Sequence, residues 1–131
     1  MKSRLYFFAL YNISGIQCGI QCGHAALEYV DKFYFSSEKW AHKDAIMDFV
    51  RNHKTFIILN GGTSSTMHDR CKELDDLGID HACFYEADLN SSLAAISFLV
   101  NEPDYDPSET EIIYKTNPIY EYLRAFRLAS N

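Results

Sequence analysis

Two stretches, residues 5–11 and 93–100, run seven and eight residues with almost no polar interruption. Both fall far short of the roughly 18 consecutive apolar residues that a membrane-spanning helix requires. Continuous apolar runs of this length, without polar alternation, read as strands buried on both faces. A sheet containing such strands has to be covered by other layers, which points to a layered α/β domain rather than a helical bundle or a half-exposed β-sheet. With 131 residues there is enough chain for one core and too little for two, so a single domain over 1–131 is expected.

The segments between the runs fit that architecture. Ser14 offers an N-cap, and Ile16, Ile20, Leu27, Val30 and Tyr34 recur at helical spacing, predicting a first helix over 15–33 with those side chains inward. A second helix, capped by Ser36 and Ser37, should reach residue 51, and a short β-branched strand follows at 55–59. Residues 60–65 read as a turn. Thr66 and Asp69 resemble a capping box for a helix that Gly78 ends in the left-handed conformation. Residues 82–85 and 93–100 should form the last two strands, antiparallel across a short return. The expected sheet is therefore four-stranded and mixed. Residues 101–116, interrupted by Pro103 and Pro107, read as an acidic surface loop. Asn117-Pro118 then opens a closing helix over 117–129, with Ile119, Leu123 and Phe126 inward.

The formal charge of −6 argues against a protein that coats nucleic acid, since phosphate binding needs cationic surface. Four of those net charges sit in residues 101–116, however, so a local groove elsewhere can still receive a short polynucleotide end. Cys18, Cys22, Cys71 and Cys83 occur in a chain with ample apolar content and no secretory pattern at its start, so reduced thiols and a cytoplasmic location are expected. No metal or cofactor is expected either: Cys18, Cys22 and His24 lack a second pair at finger-like spacing, and Cys71 and Cys83 read as buried thiols. His42, His53, His68 and His81 read as surface or cap residues. No membrane partner is expected.

The densest polar pattern is on the first helix, where Gln17, Gln21, His24 and Glu28 share one face just beyond the end of a strand. A solvated helix face and a ligand-binding face both fit this spacing. Gly23 beside His24 adds weight to the second, because glycine inside a helix costs about 0.5–1 kcal/mol relative to alanine and a close backbone approach would explain it. Thr63 and Ser64, in the hydroxyl-rich turn, form a second candidate that can cradle a phosphate, although a plain strand-to-helix turn explains them better. Tyr114, Tyr120, Tyr122 and Phe126 offer either a partner surface or helix-on-sheet packing.

Gln21-Cys22-Gly23-His24-Ala25-Ala26, following a strand and a short turn, resembles the A-Q-C-x-H-A signature of the type II peptidyl-tRNA hydrolase family. The order of elements from Arg4 to Val100 is similar as well, and the chain looks closer to shortened bacteriophage versions than to the cellular enzymes. The resemblance implies a three-layer α/β sandwich, hydrolysis of the ester between a peptidyl or aminoacyl group and tRNA, and action in the cytoplasm, a host's where the chain is phage-encoded. It carries His24 over directly. The family lysine maps to Gln17, and the family D-A-G-R-T stretch maps to Glu86-Ala87-Asp88-Leu89-Asn90, with Glu86 or Asp88 at the acidic position, Asn90 at that of the threonine, and Ser91 and Ser92 able to offer a shifted hydroxyl. His24, Glu86 and Asp88 are thus the catalytic candidates, and Gln17, Gln21, Asn90, Ser91, Ser92, Thr63 and Ser64 the substrate-binding candidates. The alternative is a non-catalytic binding protein for a small nucleotide, an RNA end or a protein partner. A homodimer is open under either reading.

Overall fold

In the computed structural model, which describes residues 1–114 and 116–129, the two apolar runs are the central strands of one sheet. β1 (Ser3–Leu10) pairs in parallel with β2 (Phe56–Gly62) and antiparallel with β4 (Ser92–Asn101), and β4 pairs antiparallel with β3 (Ala82–Glu86). The order β2-β1-β4-β3 makes the sheet mixed and four-stranded, as expected. Among the described residues no helix is long and apolar enough to cross a membrane.

Strand periodicity divides the core in two. Leu5, Phe7 and Ala9 of β1 face a cluster with Cys22, Ala25, Tyr29, Phe33, Ile46 and Phe49, whereas Tyr6 and Phe8 face Met67, Leu74, Ile96, Phe98 and Leu123. The first cluster lies under α1 (Gly15–Val30) and α2 (Trp40–Asp48), the second under α3 (Ser64–Asp76). Fully burying one phenylalanine is worth about 1.5–3 kcal/mol, so Phe7 and Phe8, both 0% exposed, each anchor one layer. Ser97, the lone hydroxyl in the second apolar run, is also fully buried. Its Oγ donates to the Ala25 carbonyl at 2.7 Å, which fastens the middle of α1 to β4.

Several boundaries depart from expectation. α1 and α2 each end in a wider turn, closed by hydrogen bonds from Ser36 N–H to the Asp31 carbonyl and from Lys54 N–H to the Phe49 carbonyl, which leave Phe33 and Phe49 buried. α2 starts at Trp40 rather than at the serines; Ser37 Oγ instead accepts from Lys39 N–H at 3.1 Å. Ile16, Ile20 and Leu27, expected inward, are 78%, 45% and 69% exposed. α1 packs through Gln21, Cys22, Ala25 and Tyr29, with the small Cys22 and Ala25 in the middle of that stripe letting the helix lie close to the sheet.

β2 continues through Asn60 and Gly62, so half of the expected turn is strand. A Cβ on Gly61 would stand 2.9 Å from Phe8 Cβ, which is why glycine holds this place. The cap of α3 is Thr63, three residues earlier than expected, and its N–H donates to Thr66 Oγ1 at 2.8 Å. Gly78 takes the left-handed conformation as expected, with φ of 71°. The acidic segment is not a plain loop: α4 (Glu102–Tyr105) and α5 (Glu109–Tyr114) form within it, the first with proline in its opening turn. Asn117 caps α6 (Pro118–Leu123) as expected, its Oδ1 accepting from Tyr120 N–H at 3.0 Å. That helix ends at Leu123 rather than 129. Beyond it the chain turns back and pairs with β2, Asn60 N–H donating to the Arg127 carbonyl at 2.9 Å and Ala129 N–H to the Ile58 carbonyl at 2.8 Å.

Candidate active site

β1 and β2 end, and β4 begins, at the same end of the sheet where β3 finishes. α1 starts there. Ser14 caps it as expected, its Oγ accepting from Gln17 N–H at 3.1 Å. The first three turns then carry Gln17, Gln21 and His24 along the flank of α1 that faces the β3 edge.

Gln21 is 1% exposed, and its Nε2 donates to Gln17 Oε1 at 3.2 Å. Gln21 Oε1 is buried without a hydrogen-bond partner, an arrangement that a donor from outside the protein would relieve. Glu86, the last residue of β3, accepts from Asp88 N–H at 3.1 Å. That N–H, the Gln21 amide and the nearby His24 ring hold the Glu86 carboxyl below its ordinary range. His24 itself is exposed, and its ring lies flat over Phe84 of β3, 4.5 Å between centroids and 14° from parallel. Among the described residues no hydrogen bond or ion pair joins His24 to Glu86 or Asp88, so stacking, not a carboxylate, sets the ring plane.

Gln17, Gln21, His24 and Glu86 therefore converge, with Asp88 in the short helical turn that follows β3. Asn90 and Ser91 form the tip of the return, with consecutive positive φ values of 56° and 57°, the pairing that tight hairpin turns use. Ser92 pairs with Glu86 across the ladder. Thr63 and Ser64 are elsewhere: they stand at the opposite edge of the sheet, beyond β2, at the start of a helix on the other face. Thr63 Oγ1 lies 3.0 Å from Ser65 Oγ, so this turn spends its polarity on itself.

A cavity of about 700 Å³ opens on the β2 side of α1, between Asn12, Ser14, Cys18, Ile58, Asn60 and Ala129. Neither Gln17 nor His24 lines it. The close backbone approach expected at Gly23 is not found either, since a Cβ there would meet nothing within 4 Å. Tyr122 and Phe126 pack against Phe8 instead of forming an open aromatic surface, at 6.0 and 4.7 Å between ring centroids. The side chain of Tyr114 lies outside the described residues. Cys22 is buried as expected, and burial pushes its thiol up.

Sequence reasoning missed a second cluster. Cys71 of α3, His81 just before β3 and Cys83 within it bring their donor atoms within 4.8 Å of one another. The available signal was the i, i+2 spacing of His81 and Cys83, which puts both on one face of a strand. No protein-family model matches the chain, and no curated protein sequence matches it.

Proposed function

We propose that the end of the sheet around His24 is a hydrolytic site for the ester of peptidyl- or aminoacyl-tRNA, on a domain of the type II peptidyl-tRNA hydrolase kind. The observation that carries this reading is the convergence of His24, Gln21, Gln17 and Glu86 from α1 and β3. In the reaction, His24 accepts a proton from the water that attacks the ester carbonyl and returns it to the departing 3′ oxygen of the tRNA. Phe84 holds the imidazole plane, and the Glu86 carboxylate favours the transient imidazolium electrostatically. The Gln17 amide, held by the Gln21 Nε2 donor on its oxygen, is the donor for the developing oxyanion. It is neutral, and the loss of one strong oxyanion donor typically costs about 10²–10³ in rate, so turnover is slow. Such a substrate places the protein in a cytoplasm, the host's for a phage-encoded chain.

A second reading, a non-catalytic binder of a nucleotide, an RNA end or a protein, is favoured by one observation: none of the converging residues is lysine or arginine. Release of labelled N-acetyl-aminoacyl groups from tRNA separates the two. Release that depends on His24 supports hydrolysis, and a rate equal to the buffer blank ends it. For the binding reading, Gln17→Glu should weaken tRNA retention by placing a carboxylate against the incoming phosphate or carbonyl; unchanged retention would remove this helix face from consideration.

A further inference from the structure

The face of β3 that turns away from His24 carries Cys83, whose Sγ lies 3.3 Å from Cys71 Sγ on α3. His81 precedes Cys83 by two residues, and its side chain is only 11% exposed. His81 Nδ1 stands 3.0 Å from the Ile79 carbonyl oxygen, so Nδ1 bears the proton and donates it. That hydrogen bond fixes the tautomer and leaves the lone pair on Nε2, the way metal-binding histidines are commonly held. Two sulfurs and one ring nitrogen thus gather within 4.8 Å from a helix and a strand that are already packed together.

We propose that Cys71, His81 and Cys83 form a binding site for a thiophilic divalent metal ion, zinc above all, with the fourth coordination position open to water or to a side chain at the rim. The donor chemistry selects the ion, because two thiolates and an imidazole suit zinc and disfavour magnesium or calcium. The geometry requires little movement. Tetrahedral zinc with Zn–S bonds of about 2.3 Å sets its two sulfurs roughly 3.8 Å apart, a few tenths of an ångström beyond their separation here. Each cysteine binds as thiolate and its proton passes to solvent.

Rim groups are present. Asp75, one turn beyond Cys71 on α3, has its carboxylate 3.7 Å from His81 Nδ1, and His68, nearly one turn before Cys71, lies with its ring 6.2 Å from that of Tyr85.

The test is cobalt(II) titration of the fully reduced chain under anaerobic conditions. One cobalt per chain is expected, with a sulfur-to-cobalt charge-transfer band and the intense visible bands of tetrahedral coordination, both erased by stoichiometric zinc. Cys71→Ser and Cys83→Ser should abolish the charge-transfer band, while a Cys18→Ser/Cys22→Ser double variant keeps it. The wild-type spectrum and its displacement by zinc decide the matter even where a variant folds poorly. Pale octahedral bands without charge transfer overturn the proposal, as does a spectrum that follows Cys18 and Cys22. So does a protein that binds no cobalt and, on mild oxidation, only links Cys71 to Cys83.

Discussion

The two faces of β3 solve different problems with alternate residues of one short strand. Towards α1 the strand supplies an apolar platform, Phe84, and the histidine stacked on it, His24, comes from the helix. Towards α3 the strand itself supplies donors, Cys83 and the preceding His81, and the helix adds Cys71. A platform orients a ring without changing what it can bind, so the first face suits proton transfer to an outside substrate. A set of soft donors is committed to what it can ligate. On the two proposals, chemistry is divided between the faces of this strand, and variants on one face should leave the other intact.

The comparison breaks most visibly at His24. His24→Ala should lower tRNA deacylation by about 10²–10⁴, while stability stays within about 0.5 kcal/mol because the ring is exposed, and the cobalt spectrum of the opposite face is unchanged. Unaltered deacylation would show that the stacked ring has no part in the reaction. Next in size is the tie between α1 and the sheet. Ser97→Ala removes the 2.7 Å hydrogen bond from the Ser97 hydroxyl to the Ala25 carbonyl, which keeps its partner within α1, and chemical denaturation should report a loss of about 0.5–1.5 kcal/mol; a neutral result would mean that α1 is held by packing alone.

Smaller still is Gly23→Ala. A Cβ at this position meets open space, so the substitution should stabilise the domain by about 0.5–1 kcal/mol. Activity should be retained; a stabilised but inactive variant would reveal that substrate approaches the backbone here. The smallest effect belongs to Glu86, whose carboxyl is held below its ordinary range chiefly by Asp88 N–H. A carboxyl with a depressed folded pKa stabilises the fold above its unfolded pKa, ordinarily near 4.5, and that contribution is lost as pH falls through the lower folded value. The urea midpoints of wild type and Glu86→Gln should therefore differ slightly at neutral pH and converge in acid. A gap that persists in acid would assign the difference to packing.

β1 and β4 were legible because a continuous apolar run of strand length has one stable environment, and the caps at Ser14 and Asn117 because a cap is a local hydrogen bond. The inward stripe of α1 was not. Helical periodicity is satisfied both by Ile16, Ile20 and Leu27 and by Gln21, Cys22, Ala25 and Tyr29, and the bulkier stripe faces solvent. Gly61 and Gly62 suggest a turn on composition, yet strand pairing with β1 and the proximity of Phe8 explain them. On the site, the polar face of α1 was visible as a spacing, whereas the partnership of Phe84 with His24 needed the sheet. Cys71 and Cys83 are separated by a helix end and the turn at Gly78, and only the packing of α3 on β3 makes them neighbours.

The return of residues 127–129 along β2 governs how the protein behaves in a crowd of its own copies. β2 is an edge strand, and an edge whose amides and carbonyls are free invites the edge of another molecule. Here the Ile58 carbonyl and the Asn60 N–H are already engaged by Ala129 and Arg127. The tail works as a selvedge along that stretch of β2, and among the described residues the other margin of the sheet is the five-residue β3.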